Sequence, residues 1–150
     1  MAPYRNVVVG TDGSETATAA VRAAAELAAA SGARLTIVTA FAPRSTDPAK
    51  AEVDVPEEIR WRITDSGQAD EKALEASRVA REAGVKDVRT RAEPGDPADA
   101  LIDVAEDTGG DVIVVGSKGM TGAARFVLGS VPNKVSHHAP CDVLIVSTTH

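Results

Sequence analysis

Cysteine occurs once, at Cys141. No internal disulfide is possible, which suits a reducing cytoplasm. Aromatic residues make up only 3% of the chain, so Val, Ile, Leu and Ala must fill the core. No run approaches the ~18 consecutive apolar residues of a membrane span. The opening "MAPYRNVVVG" has no apolar signal core. Secretion and membrane insertion are therefore disfavoured, and a cytoplasmic location is expected. Positive charge is also in deficit: 16 Lys and Arg stand against 22 Asp and Glu, a formal net charge of −6. An acidic chain is a poor general binder of nucleic acid, whose affinity rests on neutralising phosphates. Two phosphate-binding fingerprints are missing as well. No G-x-x-x-x-G-K-S/T is present, and the first turn, "GTDGS", has glycines only at Gly10 and Gly13, so it is no dinucleotide fingerprint.

What remains is an alternation. The 150 residues fit a single domain, 1–150. "RNVVVGTD" reads as a buried strand ending in turn residues. The following helix has Ser14 as its amino cap, Glu15 in its first turn and Gly32 as its stop. Ala17, Val21, Ala24 and Ala28 fall on one face, with Leu27 beside them. "RLTIVTAF" is a second strand, and 43–66 is a polar surface excursion carrying three prolines and Trp61. A helix is expected over about 69–83, stopping at Gly84, followed by a polar edge strand, "DVRTRAE". Asp96 and Pro97 open the next helix, and Gly109-Gly110 ends it. "DVIVVG" is a fully apolar strand, a last helix starts near Ser130, and "CDVLIVST" is the final strand. Apolar strands alternating with helices imply a parallel sheet covered on both faces, an α/β doubly wound fold. Ligands bind such folds at the carboxyl ends of the strands, where the strand order reverses. That rim collects Gly10 to Gly13, Ala40 to Pro43, and Gly116 onward.

From Asp111 to Asp142 there is no intervening acid, and Lys118, Arg125 and Lys134 lie in that interval. A locally basic stretch in an acidic protein favours a small anion over a long polyanion. Within it, "GSKGMTGAARFVLGS" places Gly116 and Gly119 after a strand and Gly129-Ser130 before a helix. Helix amino termini present unpaired N–H groups and a positive dipole end to phosphate. The bland alternative makes Gly116 a strand end, Gly119 a turn and Ser130 a simple cap.

Glycine, two residues, glycine, nine residues, then glycine and serine resembles the nucleotide-binding motif of universal stress proteins. Here it is Gly116, Gly119, Gly129 and Ser130. "VVVGTDGSETATAAVRAAAELA" and "GSVPNKVSHHAPCDVLIV" are similar to the two ends of that family's domain. The resemblance implies a flavodoxin-like (Rossmann-like) five-stranded parallel sheet and an adenine nucleotide ligand. It implies Asp12 on the adenine and ribose side, flanked by Gly10 and Thr11, a backbone contact from Ala40 to the base, and Val115 and Gly116 against the ribose. Gly119, Gly129, Ser130 and Val131 would surround the phosphates. It also implies a homodimer in which the last strand pairs with its copy. ATP, with or without Mg²⁺, stands first. Cyclic AMP is the alternative, because "VVVGTDGS" and "LGSVPNKVS" look similar to an actinobacterial branch that binds it.

Several residues admit two readings. Lys118 and Arg125 either reach a phosphate or are solvated. Asp12 either faces the ligand or belongs to the turn and caps the first helix. Adjacent residues on a helix diverge, so His137 and His138 make a poor metal pair and better suit the helix carboxyl dipole. Cys141 has no catalytic partner nearby and reads as a structural thiol. Three function classes follow: a nucleotide-binding regulatory module in a stress response, a slow ATPase or phosphotransferase, and an empty dimerisation scaffold. No base or water-positioning residue accompanies the phosphate-cradling groups, so a binding module is expected rather than an enzyme.

Overall fold

The computed structural model describes residues 4–41, 66–117 and 129–147. Trp61, Lys118, Gly119, Arg125 and nearly all of the 43–66 excursion lie outside those residues. The elements run β1 (Asn6–Gly10), α1 (Glu15–Ser31), β2 (Arg34–Phe41), α2 (Ser66–Glu82), β3 (Val88–Pro94), α3 (Pro97–Thr108), β4 (Val112–Gly116), α4 (Ser130–His138) and β5 (Asp142–Val146). All pairings are parallel, in the order β3-β2-β1-β4-β5. This is the doubly wound α/β sheet expected. The chain steps from β1 to β2 and β3 on one side, then crosses back to lay β4 against the other side of β1. The order therefore reverses between β1 and β4.

Alternation along each strand sends side chains to two cores. Val7, Val9, Leu35, Ile37 and Val114 pack under α1 and α2. Val8, Val38, Ile113 and Val115 pack under α3 and α4. These are buried almost completely, worth about 1.5–3 kcal/mol each as transferred side chains. Alanines line the helices: Ala20, Ala24, Ala25 and Ala28 of α1 are buried with Val21. The buried arc is wider than the expected stripe and rotated from it. Ala17 is only partly buried, and Ala20 and Ala25 join the core, because α1 meets both the sheet and α2.

Helix ends obey local chemistry. Ser14 Oγ accepts from Ala17 N at 3.2 Å, and Asp96 Oδ2 accepts from Asp99 N at 3.1 Å. Gly32 (φ +65°) and Gly109 (φ +70°) end α1 and α3 in the left-handed conformation that glycine alone adopts without strain. Helix α2 starts at Ser66, three residues before the expected 69, and ends at Glu82, one before 83. The apolar periodicity begins at buried Ala69; the polar residues before it carry no such signal. β3 is an edge strand as expected, guarded by Arg89, Arg91 and Glu93. β5 is the other edge. No helix among the described residues is long and apolar enough to cross a membrane.

Candidate functional site: a cleft at the strand-order reversal

The cleft forms where β1 and β4 diverge at their carboxyl ends. β1 delivers Gly10, Thr11 and Asp12; β2 delivers Val38 and Ala40; β4 delivers Val114, Val115 and Gly116. Thr11 N donates to Val38 O at 2.9 Å, which prolongs the parallel ladder one residue past β1 and pins the turn. Within that turn Gly13 N donates to Thr11 Oγ1 at 3.1 Å, and Ser14 N donates to Asp12 Oδ1 at 2.9 Å. The latter is an Asx-turn. Gly13 sits at φ +82°, and the Lys72 stem of α2 lies where its Cβ would be, 3.2 Å from Cγ. Asp12 belongs to the turn, as one carboxylate oxygen accepts from Ser14 N, but it is not the helix cap, which is Ser14; the residue also lines the cleft.

Two helix amino ends complete the walls. Pro97 and Leu101 of α3 close one side, and Val131 and Pro132 of α4 another. A Cβ on Gly10 would meet the Leu101 methyls at 3.3 and 3.4 Å, so glycine here lets α3 approach the strand end. Helices α1 and α3 cap themselves with side chains; α4 does not. Its cap is Gly129, which offers no side-chain bond. The first α4 backbone bond is Asn133 N to Gly129 O at 3.1 Å. The N–H groups of Ser130 and Val131 precede it, and Pro132 has none to offer. Ser130 is thus the first helical residue rather than the cap.

The cleft gathers seven of the expected site residues: Gly10, Thr11, Asp12, Ala40, Val115, Gly116 and Val131. Gly129 and Ser130 immediately precede Val131 in the α4 turn. Lys118, Gly119 and Arg125 lie outside the described residues. The lining residues that the sequence reading missed include Thr16, Ala17, Val38, Pro97, Leu101 and Pro132. Pro97 and Leu101 could have been found, since side chains one turn into a rim helix lean back toward its amino end. Thr16 and Ala17 carried no signal beyond helix pattern.

Charge is arranged differently from the sequence order. Among the described lining residues Asp12 alone carries a charge. Lys134, counted in the basic stretch, turns to α3 instead: its Nζ lies 2.9 Å from Asp99 Oδ1 and 3.3 Å from Asp96 Oδ2. Asp99, then Asp96, hold the Lys134 ammonium above its ordinary range. The Asp99 N–H holds the Asp96 carboxyl below its own, with Lys134 adding to that against partial burial. His137 and His138 occupy the exposed last turn of α4, with ring centroids 6.4 Å apart. Partial burial pushes the Cys141 thiol up, with Asp142 and Asp111 adding to the shift, as suits a structural thiol.

This architecture is shared with known proteins. The model of the universal stress protein family matches residues 3–147. A universal stress protein of Mycobacterium tuberculosis is 40% identical over 149 residues, covering 99% of this chain and 100% of its own. A crystal structure of a universal stress protein in complex with cAMP superimposes with a TM-score of 0.75 at 36% identity, covering 97% of this chain and 98% of that one. The Archaeoglobus fulgidus universal stress protein in complex with dAMP shares the fold, with a TM-score of 0.69 at 23% identity over 97% of this chain and 99% of its own. With a reversal-point cleft, a glycine-capped α4 and a match along nearly its whole length, the chain belongs to the universal stress protein family.

Proposed function

We propose that this protein binds an adenine nucleotide in the β1–β4 cleft and acts as a non-catalytic regulatory module of a cytoplasmic stress response. The observation that carries the reading is the amino end of α4. Gly129 leaves it without a side-chain cap, Ser130 and Val131 hold N–H groups ahead of the first helical bond, and Val131 lies in the cleft wall. Such an end binds a phosphate through directed N–H groups and the helix dipole. Val38, Ala40, Leu101 and Val115 supply apolar surface for a base, and the backbone of Ala40 is the base contact. Asp12 and Gly116 take the ribose. Gly119, Gly129, Ser130 and Val131 take the phosphate.

The charge around the cleft supports a ligand with a single negative charge, cyclic AMP, over ATP. Asp12 is the one charged group among the described lining residues, and Lys134 is engaged by two carboxylates. ATP carries about four charges at neutral pH and profits from cations or Mg²⁺. A solved relative is a cAMP complex, which agrees. ATP is the second reading, favoured by Lys118 and Arg125 in the acid-free stretch. Calorimetric titration with each nucleotide, with and without Mg²⁺, separates them. Metal-independent preference for cyclic AMP is expected. Gly129→Asp, which adds bulk and negative charge at the helix end, should abolish binding of either. A folded Gly129→Asp protein of unchanged affinity would remove the phosphate from α4. Turnover of ATP at ~1 s⁻¹ or faster would replace the binding module with an enzyme.

The same reading includes a homodimer through β5. That edge strand exposes Leu144 and Ile145, one toward each face of the sheet, and no other described strand pairs with its outer side. Pairing with a second copy would cover both.

A further inference from the structure

We propose that Lys134 is a positioning residue of the anion site: by offsetting one of the two negative charges of Asp96 and Asp99 it lessens the repulsion between the amino end of α3 and a phosphate bound at the amino end of α4. The inference rests on the nucleotide reading above and assigns a role to a residue outside the cleft lining.

Two helices present their amino ends to one cleft, through Pro97 of α3 and Val131 and Pro132 of α4. They are solved differently. α4 uses glycine, which makes no side-chain cap bond to its first N–H groups. α3 uses a carboxylate, Asp96, as its cap and carries a second, Asp99, in its first turn. Acidic residues there suit α3 itself, because they complement its dipole. They do not suit a neighbouring anion. Asp96 directly precedes a cleft-lining residue, and Asp12 already contributes one negative charge to the lining. Without Lys134, Asp12 in the lining and two uncompensated carboxylates at the start of the helix that walls the cleft would all oppose an anion there.

Lys134 answers this from one turn further along α4. Its ammonium bridges both acids, at 2.9 Å and 3.3 Å. All three side chains are about half exposed, so the pair adds little to stability. Its consequence is the local field: two negative charges and one positive replace two uncompensated negatives. The cap bond to Asp99 N survives throughout, so α3 keeps its start.

The test measures Kd for cyclic AMP and for adenosine, the same base and sugar without phosphate, by calorimetry at low salt. The proteins are wild type, Lys134→Gln, and Lys134→Gln combined with Asp96→Asn and Asp99→Asn. Asparagine caps helices as well as aspartate, so the triple variant keeps α3 intact. Lys134→Gln should weaken cyclic AMP about two- to fivefold, the range of exposed charge pairs, and leave adenosine unchanged. The loss should shrink at high salt. The triple variant should bind cyclic AMP at least as tightly as wild type. Equal weakening of both ligands, no weakening, or no recovery in the triple variant would each overturn the role of Lys134 while leaving the nucleotide site standing. A wild-type protein that binds neither of these ligands would overturn this inference, and one that also fails to bind ATP would overturn the nucleotide reading with it.

Discussion

At Gly110 there is no room for a side chain. A Cβ there would lie 2.9 Å from Val8 Cγ2 and 3.2 Å from the Cα of Ala105. Val8 is fully buried in the strand beneath, and Ala105 belongs to the helix that has just ended. Neither can give way cheaply, so Gly110→Ala should destabilise the fold by about 1–3 kcal/mol in urea unfolding, as overpacking does. A stability unchanged within error would mean that the α3–β4 connection yields. The sequence marked Gly109-Gly110 as a helix stop without separating the two roles. Gly109 supplies a positive φ, a local property. Gly110 supplies empty space against Val8, about a hundred residues away in sequence, which no local pattern encodes.

At the level of elements, helix α3 carries a consequence for acid stability. The Asp99 N–H and then Lys134 depress the Asp96 carboxyl from its ordinary 3.8. A depressed carboxyl contributes stability in full above the unfolded value and loses it as pH falls through the folded value. Asp96→Asn keeps the cap but has nothing to titrate. Wild type should therefore be more stable than Asp96→Asn at pH 7, and the gap should close as pH falls below about 4. Thermal melts from pH 7 to pH 2 would test this, and a gap that stays constant would deny the carboxylate its role. The caps themselves, Ser14 and Asp96, were legible in the sequence, because a cap bonds an N–H three residues away. The start of α2 at Ser66 was not, because its first turn is polar and lacks the periodicity that marks Ala69 onward.

For the molecule as a whole, the two edges of the sheet differ. β3 ends the sheet with charged side chains, whereas β5 ends it with Leu144 and Ile145, 42% and 37% exposed. One edge is protected against pairing and the other is suited to it. Sedimentation velocity should find a dimer, and Ile145→Lys, which places a charge on the apolar edge, should shift it toward monomer. A monomeric wild type at micromolar concentration would contradict pairing through β5. Edge placement was inferable for β3 from its polarity. For β5 the composition alone would equally fit a central strand, since "DVLIV" is as apolar as "DVIVV".

By itself the sequence determined the strand–helix alternation, the parallel class of sheet, the caps and glycine stops, and the rim that holds Gly10, Asp12 and Gly116. Each follows from interactions within a turn of helix or from side-chain period. Only the tertiary structure decided which helix ends face one another. Strand order brings β4 beside β1, so that α3 and α4 open onto the same cleft as Asp12. That order also turns Lys134 toward Asp96, 38 positions earlier in the chain, and away from the basic stretch its neighbours suggested. Charge adds up in space rather than along the backbone, so the field at a binding site is a property of the fold.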